Sequence, residues 1–219
     1  MPVYILSSDD IRFPPPEEAE ENGLLAVGGD LSPARLILAY RMGIFPWYSE
    51  GEPILWWSPD PRMILFPYKI KISHSLRRVL KNKRYQVTFN KDFPAVIECC
   101  QKARLDKGES TWITSDMKKA YMELHSLGYA CSVETWENEK LVGGLYGVIV
   151  GNCFCGESMF SIKPDSSKVA LVALAEKFAG IPGAVIDCQI PSRHLERMGA
   201  EVVSRVQFLF LLNKALGNA

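Results

Sequence analysis

Residues 141–156 contain no charged side chain, and five glycines interrupt the run. It falls short of the ~18 residues a bilayer-spanning helix needs, and its glycines weaken any helix. Its Leu, Val, Ile, Tyr and Phe content predicts strands instead, over residues 140–150 and 152–160. Residues 129–137 read as another, joined to the next through the hairpin turn Glu137-Asn138-Glu139-Lys140. Three such strands in succession make an antiparallel meander. Residues 167–179 then have helical spacing but are apolar nearly all round, through Val169, Leu171, Val172, Leu174, Ala175 and Phe178. Such a helix must be buried against the sheet.

Before Arg62 the sequence is dense in punctuation: Phe13-Pro14-Pro15-Pro16, Gly28-Gly29, Phe45-Pro46, Pro59 and Pro61 leave room only for short elements. One helix is expected there, over residues 33–42, with Ser32 as cap and Pro33 in the first turn. Downstream the spacing predicts helices over 75–83, 93–103, 115–127 and 208–216, a helical turn over 193–198, and strands over 85–90, 184–189 and 201–205. The expected architecture is α+β. Residues 1–62 form a small N-terminal α/β domain, and residues 63–219 form a mixed-sheet domain resembling acetyltransferase-like (GNAT-like) folds.

Net charge is zero but unevenly placed. Lys69, Lys71, Arg77, Arg78, Lys81, Lys83, Arg84 and Lys91 follow one another with no acid between them, while the first thirty residues hold seven acids against Arg12. Such separation suits a protein that holds a polyanion on one side and repels it elsewhere. Helical spacing puts Leu76, Val79 and Leu80 on one face and Arg77, Arg78 and Lys81 on the other. The six cysteines make no C-x-x-C pair, and only His74, His125 and His194 are available to join them. Neither a metal site, a cofactor nor a disulfide framework is expected, and buried thiols fit a reducing cytoplasmic compartment.

In the strand ending Val185-Ile186-Asp187-Cys188-Gln189, alternation puts Asp187 and Gln189 on one face. A carboxylate on such a strand needs partners: neighbouring backbone or arginine groups in a structural role, a substrate in a catalytic one. Glu157 leaves another apolar strand in the same way. Trp47 and Trp112 sit in loop-like contexts, where tryptophan either fills a core or stacks on a base. No Ser-His-Asp or Cys-His set accompanies them, which points to positioning chemistry on an already activated acyl donor.

Taken together, Asn22-Gly23-Leu24-Leu25-Ala26-Val27-Gly28-Gly29-Asp30-Leu31, Gly43-Ile44-Phe45-Pro46-Trp47, Trp56-Trp57-Ser58-Pro59-Asp60-Pro61-Arg62, Thr111-Trp112-Ile113-Thr114, Leu141-Val142-Gly143-Gly144-Leu145-Tyr146-Gly147, Phe154-Cys155-Gly156-Glu157-Ser158-Met159-Phe160-Ser161 and Asp187-Cys188-Gln189 resemble the signature runs of the bacterial leucyl/phenylalanyl-tRNA-protein transferases. The resemblance implies a monomeric enzyme that takes Leu, Phe or Met from aminoacyl-tRNA and attaches it to proteins beginning with Arg or Lys, marking them for N-end rule degradation. It implies that Trp47 and Trp112 embrace the terminal adenosine, and that Leu145, Phe154, Met159, Leu171, Phe178 and Ile186 line the side-chain pocket. Glu157, Asp187 and Gln189 then stand at the reacting ester: Asp187 assisting the amine, Gln189 holding Asp187 or the ester oxygen, Glu157 anchoring the donor's α-amino group. Arg77, Arg78, Lys81, Lys83 and Arg84 are the expected phosphate contacts. Leu145 stands where relatives often carry Met, and Arg197 where a small residue is expected.

Three rivals remain at this point. A CoA-dependent acetyltransferase would share the fold, but the Arg/Gln-x-x-Gly-x-Gly/Ala pyrophosphate loop is missing. A tRNA-binding module without catalysis would leave the paired acids unexplained. A transferase with the same donor would differ only in its acceptor, taking acidic N-termini or cell-wall peptides.

Overall fold

A computed structural model describes residues 3–106, 108 and 111–217. The N-terminal part holds β1 (Tyr4–Leu6), β2 (Leu24–Gly28), α1 (Pro33–Arg41), β3 (Phe45–Pro46) and β4 (Leu55–Trp57), its strands arranged as one sheet in the order β1-β2-β4-β3. As expected, α1 starts where Ser32 Oγ accepts the Arg35 N–H, with Pro33 in its first turn.

The rest of the chain follows as β5 (Arg62–Leu65), α2 (His74–Lys81), β6 (Gln86–Phe89), α3 (Phe93–Leu105), α4 (Ser115–Ser126), β7 (Ala130–Glu137), β8 (Lys140–Val150), β9 (Cys153–Ser161), α5 (Ser166–Phe178), β10 (Val185–Gln189), α6 (Arg193–Arg197), β11 (Glu201–Val203) and α7 (Arg205–Ala215). The strands make a second sheet in the order β11-β5-β10-β9-β8-β7-β6. The meander β7-β8-β9 is antiparallel, whereas β9 and β10 are parallel. A parallel pair needs a crossover, which is supplied by α5. The architecture is therefore α+β with a mixed sheet.

Two local differences from expectation bear on the site. No strand is expected at β5, where Pro59 and Pro61 stand just before it, yet Arg62–Leu65 lies between β10 and β11 and is buried throughout. The strand expected over 201–205 stops at Val203, because Ser204 Oγ accepts the Gln207 N–H and starts α7 at Arg205.

Apolar side chains pack on both faces of the larger sheet. On one face α5 covers β7, β8 and β9, with Leu76 of α2 behind it. On the other, α1, α3, α4 and α7 pack against the sheet in a core that continues into Leu25, Leu36, Tyr40 and Trp56 of the N-terminal part. Gly147 is where β8 meets the irregularity in β9: a Cβ there would lie 2.3 Å from the Cys155 carbonyl oxygen and 2.6 Å from the Phe154 ring. Among the described residues, no helix is long and apolar enough to cross a membrane.

Candidate active site

β10 ends in a bulge. Ile186 and Asp187 pair with Leu65 and Ile64 of β5, but the register shifts before Gln189, which takes a left-handed φ of 61°. Such a conformation is uncommon for a residue with a Cβ. Here the Gln189 backbone N–H donates to Asp187 Oδ1 at 2.9 Å. The bulge breaks the simple alternation expected over 184–189, and the Gln189 side chain reaches β9, where Nε2 donates to Glu157 Oε1 at 3.1 Å.

Asp187 is buried and accepts two hydrogen bonds from Arg62 of β5, from Nε at 2.8 Å and Nη2 at 2.6 Å. Arg62 Nη1 donates to the Gly43 carbonyl at 3.2 Å, and the guanidinium carbon lies 4.9 Å from the Phe45 ring centroid and 4.4 Å from that of Phe208. Of the alternatives the sequence leaves open for Asp187, an arginine partner is present. The ion pair is bidentate and dry, a geometry that fixes both groups.

Glu157 is buried on β9 and is met from two helices. The Tyr40 hydroxyl of α1 lies 2.7 Å from Oε1, the Tyr121 hydroxyl of α4 lies 2.7 Å from Oε2, and the two hydroxyls are 2.5 Å apart. Burial pushes the Glu157 carboxyl up to about 7, with neighbouring Asp187 acting in the same direction and the hydrogen bonds from Tyr40, Tyr121 and Gln189 opposing it. Both tyrosine hydroxyls are themselves held well above their ordinary range, first by burial and then by Glu157.

A cavity of about 460 Å³ opens beside this cluster. Glu157, Asp187 and Gln189 line it, with Trp47 and Trp112, and so do Leu145, Phe154, Met159, Leu171 and Ile186. Phe178 does not. Its ring sits edge-on behind Phe154, centroids 6.2 Å apart, so it supports the wall rather than forming it. The Trp47 and Trp112 rings meet edge to face at 86°, 6.2 Å apart, which is not a parallel clamp, and Arg104 lies 3.6 Å over the Trp112 ring.

Sequence reasoning missed four participants. Arg62, Tyr40 and Tyr121 are fully buried polar side chains whose only sequence signal is a hydrogen-bonding group inside an apolar pattern. Tyr146 lines the cavity with a buried hydroxyl that has no hydrogen-bond partner among the described residues. His194 also borders the cavity; burial, then Lys168 and Arg197, lower its pKa below the ordinary histidine value.

Cys188, the thiol that borders the cavity, is no ready nucleophile. Burial pushes Cys131 up to about 12 and holds Cys100 and Cys188 higher still, and the contact with Cys153, then burial, raises Cys155. The basic residues lie apart from the cavity lining. Arg77, Arg78, Lys81 and Lys83 are exposed, whereas Arg84 is committed to Glu137 at 2.7 Å.

A family model described as leucyl/phenylalanyl-tRNA protein transferase matches residues 64–213, and one for the N-terminal domain of the same family matches 29–60. Curated proteins called leucyl/phenylalanyl-tRNA–protein transferase are similar over nearly the whole length. That of Syntrophobacter fumaroxidans is 56% identical over 97% of this chain and 90% of its own, and that of Azotobacter vinelandii is 54% identical over 93% and 90%. That of Flavobacterium johnsoniae is 51% identical over 93% and 96%. Among solved structures, a GCN5-related N-acetyltransferase from Kribbella flavida aligns with TM-score 0.42 at 9% identity, over 78% of this chain and 61% of its own.

Proposed function

The chain belongs to the leucyl/phenylalanyl-tRNA protein transferase family, and on that premise we propose that it moves Leu, Phe or Met from aminoacyl-tRNA to the α-amino group of proteins beginning with Arg or Lys. The modified proteins are thereby marked for N-end rule degradation. One observation supports this reading above the others: a single cavity joins the two tryptophans, the apolar slot and the Glu157-Asp187-Gln189 cluster. Terminal adenosine, amino-acid side chain and scissile ester thus have adjoining places.

An aminoacyl ester is already activated, so the enzyme needs no covalent nucleophile. The attacking group is an α-amine with a reference pKa of ~7.7–8.0, part of which is neutral near pH 7. Its nitrogen forms the new C–N bond, the ester C–O bond to the ribose breaks, one proton leaves the nitrogen and one reaches the ribose oxygen. Holding ester and amine in register is worth ~7–11 kcal/mol, more than a proton transfer worth 10²–10⁴-fold. Gln189 donates through Nε2 to Glu157, which leaves its carbonyl oxygen to accept an N–H of the attacking amine. Asp187, pinned by Arg62, fixes the Gln189 backbone and supplies negative charge beside the amine as it becomes positive. Glu157 orients the Gln189 amide.

Leu145, Phe154, Met159, Leu171 and Ile186 accept a side chain with an unbranched Cβ and collide with a branched one; Phe178 holds Phe154 in place. Arg77, Arg78, Lys81 and Lys83 meet acceptor-stem phosphates. We further propose that residues 1–62 and 63–219 are the two domains, and that the enzyme acts as a cytoplasmic monomer whose own residues complete the site. Single-turnover transfer from Phe-tRNA to an Arg-starting peptide tests the roles: with donor binding intact, Gln189→Ala and Asp187→Asn are expected to slow the step at least tenfold. Wild-type rates in both would remove the assignment.

A further inference from the structure

The contacts around Glu157 contain a proton count. Three oxygen pairs lie at hydrogen-bond distance in a closed circuit: Tyr40 Oη with Glu157 Oε1 at 2.7 Å, Tyr121 Oη with Glu157 Oε2 at 2.7 Å, and the two tyrosine oxygens with each other at 2.5 Å. Each contact needs one proton. The tyrosines bring two. If Glu157 is ionised, both hydroxyls point at it, and the two tyrosine oxygens confront one another with lone pairs only. If Glu157 carries a proton, every contact is satisfied in one direction: Oε2–H donates to Tyr121, Tyr121 donates to Tyr40, and Tyr40 donates to Oε1. That direction also suits Gln189, whose Nε2 donates to Oε1, the carbonyl oxygen of the acid.

We infer that Tyr40 and Tyr121 are positioning residues, which close a three-proton ring with a neutral Glu157 and thereby hold the Gln189 amide with its carbonyl toward the attacking amine. The inference rests on the transferase reading of the site for its purpose, but not for its proton count. Other charged and titratable groups near the ring come from every element packed around it. Asp187 on β10 adds negative charge that favours the neutral acid. Tyr146 on β8 feels Glu157, Cys100 of α3 and Arg104 of α3, and Arg62 on β5 is spent on Asp187. Burial raising the Glu157 carboxyl to about 7 agrees with the count.

The ring makes a prediction of unusual sign. A carboxylate that merely loses a hydrogen-bond donor titrates higher. In a closed ring, Tyr40→Phe or Tyr121→Phe removes two bonds from the neutral acid and strands a buried hydroxyl proton. The ionised form loses one bond and is relieved of the tyrosine–tyrosine repulsion. Each variant is therefore expected to titrate about one pH unit lower than wild type.

Infrared difference spectroscopy of the full chain with ¹³C-labelled glutamate, titrated from pH 5 to 9, reads this directly. The protonated-carboxyl band missing from Glu157→Gln is expected to be present at pH 6 in wild type and to shift its midpoint downward in both phenylalanine variants. Absence of that band at pH 6, or an upward or unmoved midpoint in the variants, overturns the ring. Transfer to an Arg-starting peptide separates the two claims. At pH 6, Glu157→Gln keeps the acid's donor and acceptor pattern and is expected to transfer at least about threefold faster than Glu157→Ala. Equal loss in both overturns the positioning role. Failure of the wild type to transfer at all would sink the transferase reading while leaving the infrared result to stand.

Discussion

Glu157 sets the clearest expectation for a single residue. Its folded pKa of about 7 lies above the 4.5 of an unperturbed glutamate, so between those values the folded chain holds a proton that the unfolded chain has lost. Stability therefore falls as pH rises from about 4.5 to about 7 and levels off above, by at most about 3 kcal/mol from this group. Glu157→Gln escapes that penalty. Urea unfolding at pH 5 and pH 8 should show the variant gaining on wild type at the higher pH, and a pH-independent difference would contradict it. The Arg62–Asp187 pair behaves differently because neither partner tolerates being left alone: Asp187→Ala strands a buried guanidinium and is expected to cost ~3–5 kcal/mol. Replacing both with apolar residues of similar volume should cost less than the sum of the single changes, and additive losses would argue against a coupled pair. Glu157, Asp187 and Gln189 were legible as polar side chains on apolar strands. Their partners were not, since Tyr40 and Tyr121 lie on helices far away in sequence, and Arg62 opens a strand masked by two prolines.

At the scale of elements, α2 presents Arg77, Arg78 and Lys81 on one rigid face, with Leu76 buried beneath. Each phosphate contact made there contributes ~0.7–0.9 to the slope of log affinity against log salt. Reversing the three charges should weaken tRNA binding and flatten that slope, while Arg84→Ala should change it less, because Arg84 is already paired with Glu137. Equal effects would mean that the pair opens on binding. Between β8 and β9, Gly147→Ala places a methyl 2.3 Å from a carbonyl oxygen and should cost ~1–3 kcal/mol or more, whereas Gly180→Ala meets nothing within 4 Å and should stay within ~0.5 kcal/mol. The meander and the all-apolar helix could be read from periodicity, because long regular segments state their environment repeatedly. Four-residue β5 and the bulge at Gln189 could not: one is too short to show a period, and the other is fixed by β5, which lies more than a hundred positions earlier.

For the molecule as a whole, the order of strands and helices pointed to an α+β protein and the charge separation to a polyanion partner, but neither revealed that the small N-terminal sheet shares its core with the larger one. Leu25, Leu36, Tyr40 and Trp56 belong to the same buried cluster as Tyr121, Tyr146 and Phe208. Residues 63–219 expressed alone should therefore aggregate or bind hydrophobic dye, and a folded, active fragment would show the shared core to be dispensable. We propose that one cavity selects both the acyl group and the amine that attacks it. Its most direct test is a matrix of charged tRNAs against peptides that differ only in their first residue, read as labelled amino acid transferred. Transfer is expected from Leu-, Phe- and Met-tRNA to peptides beginning with Arg or Lys; equal transfer from Ile- or Val-tRNA, or to an acidic first residue, would contradict that selection.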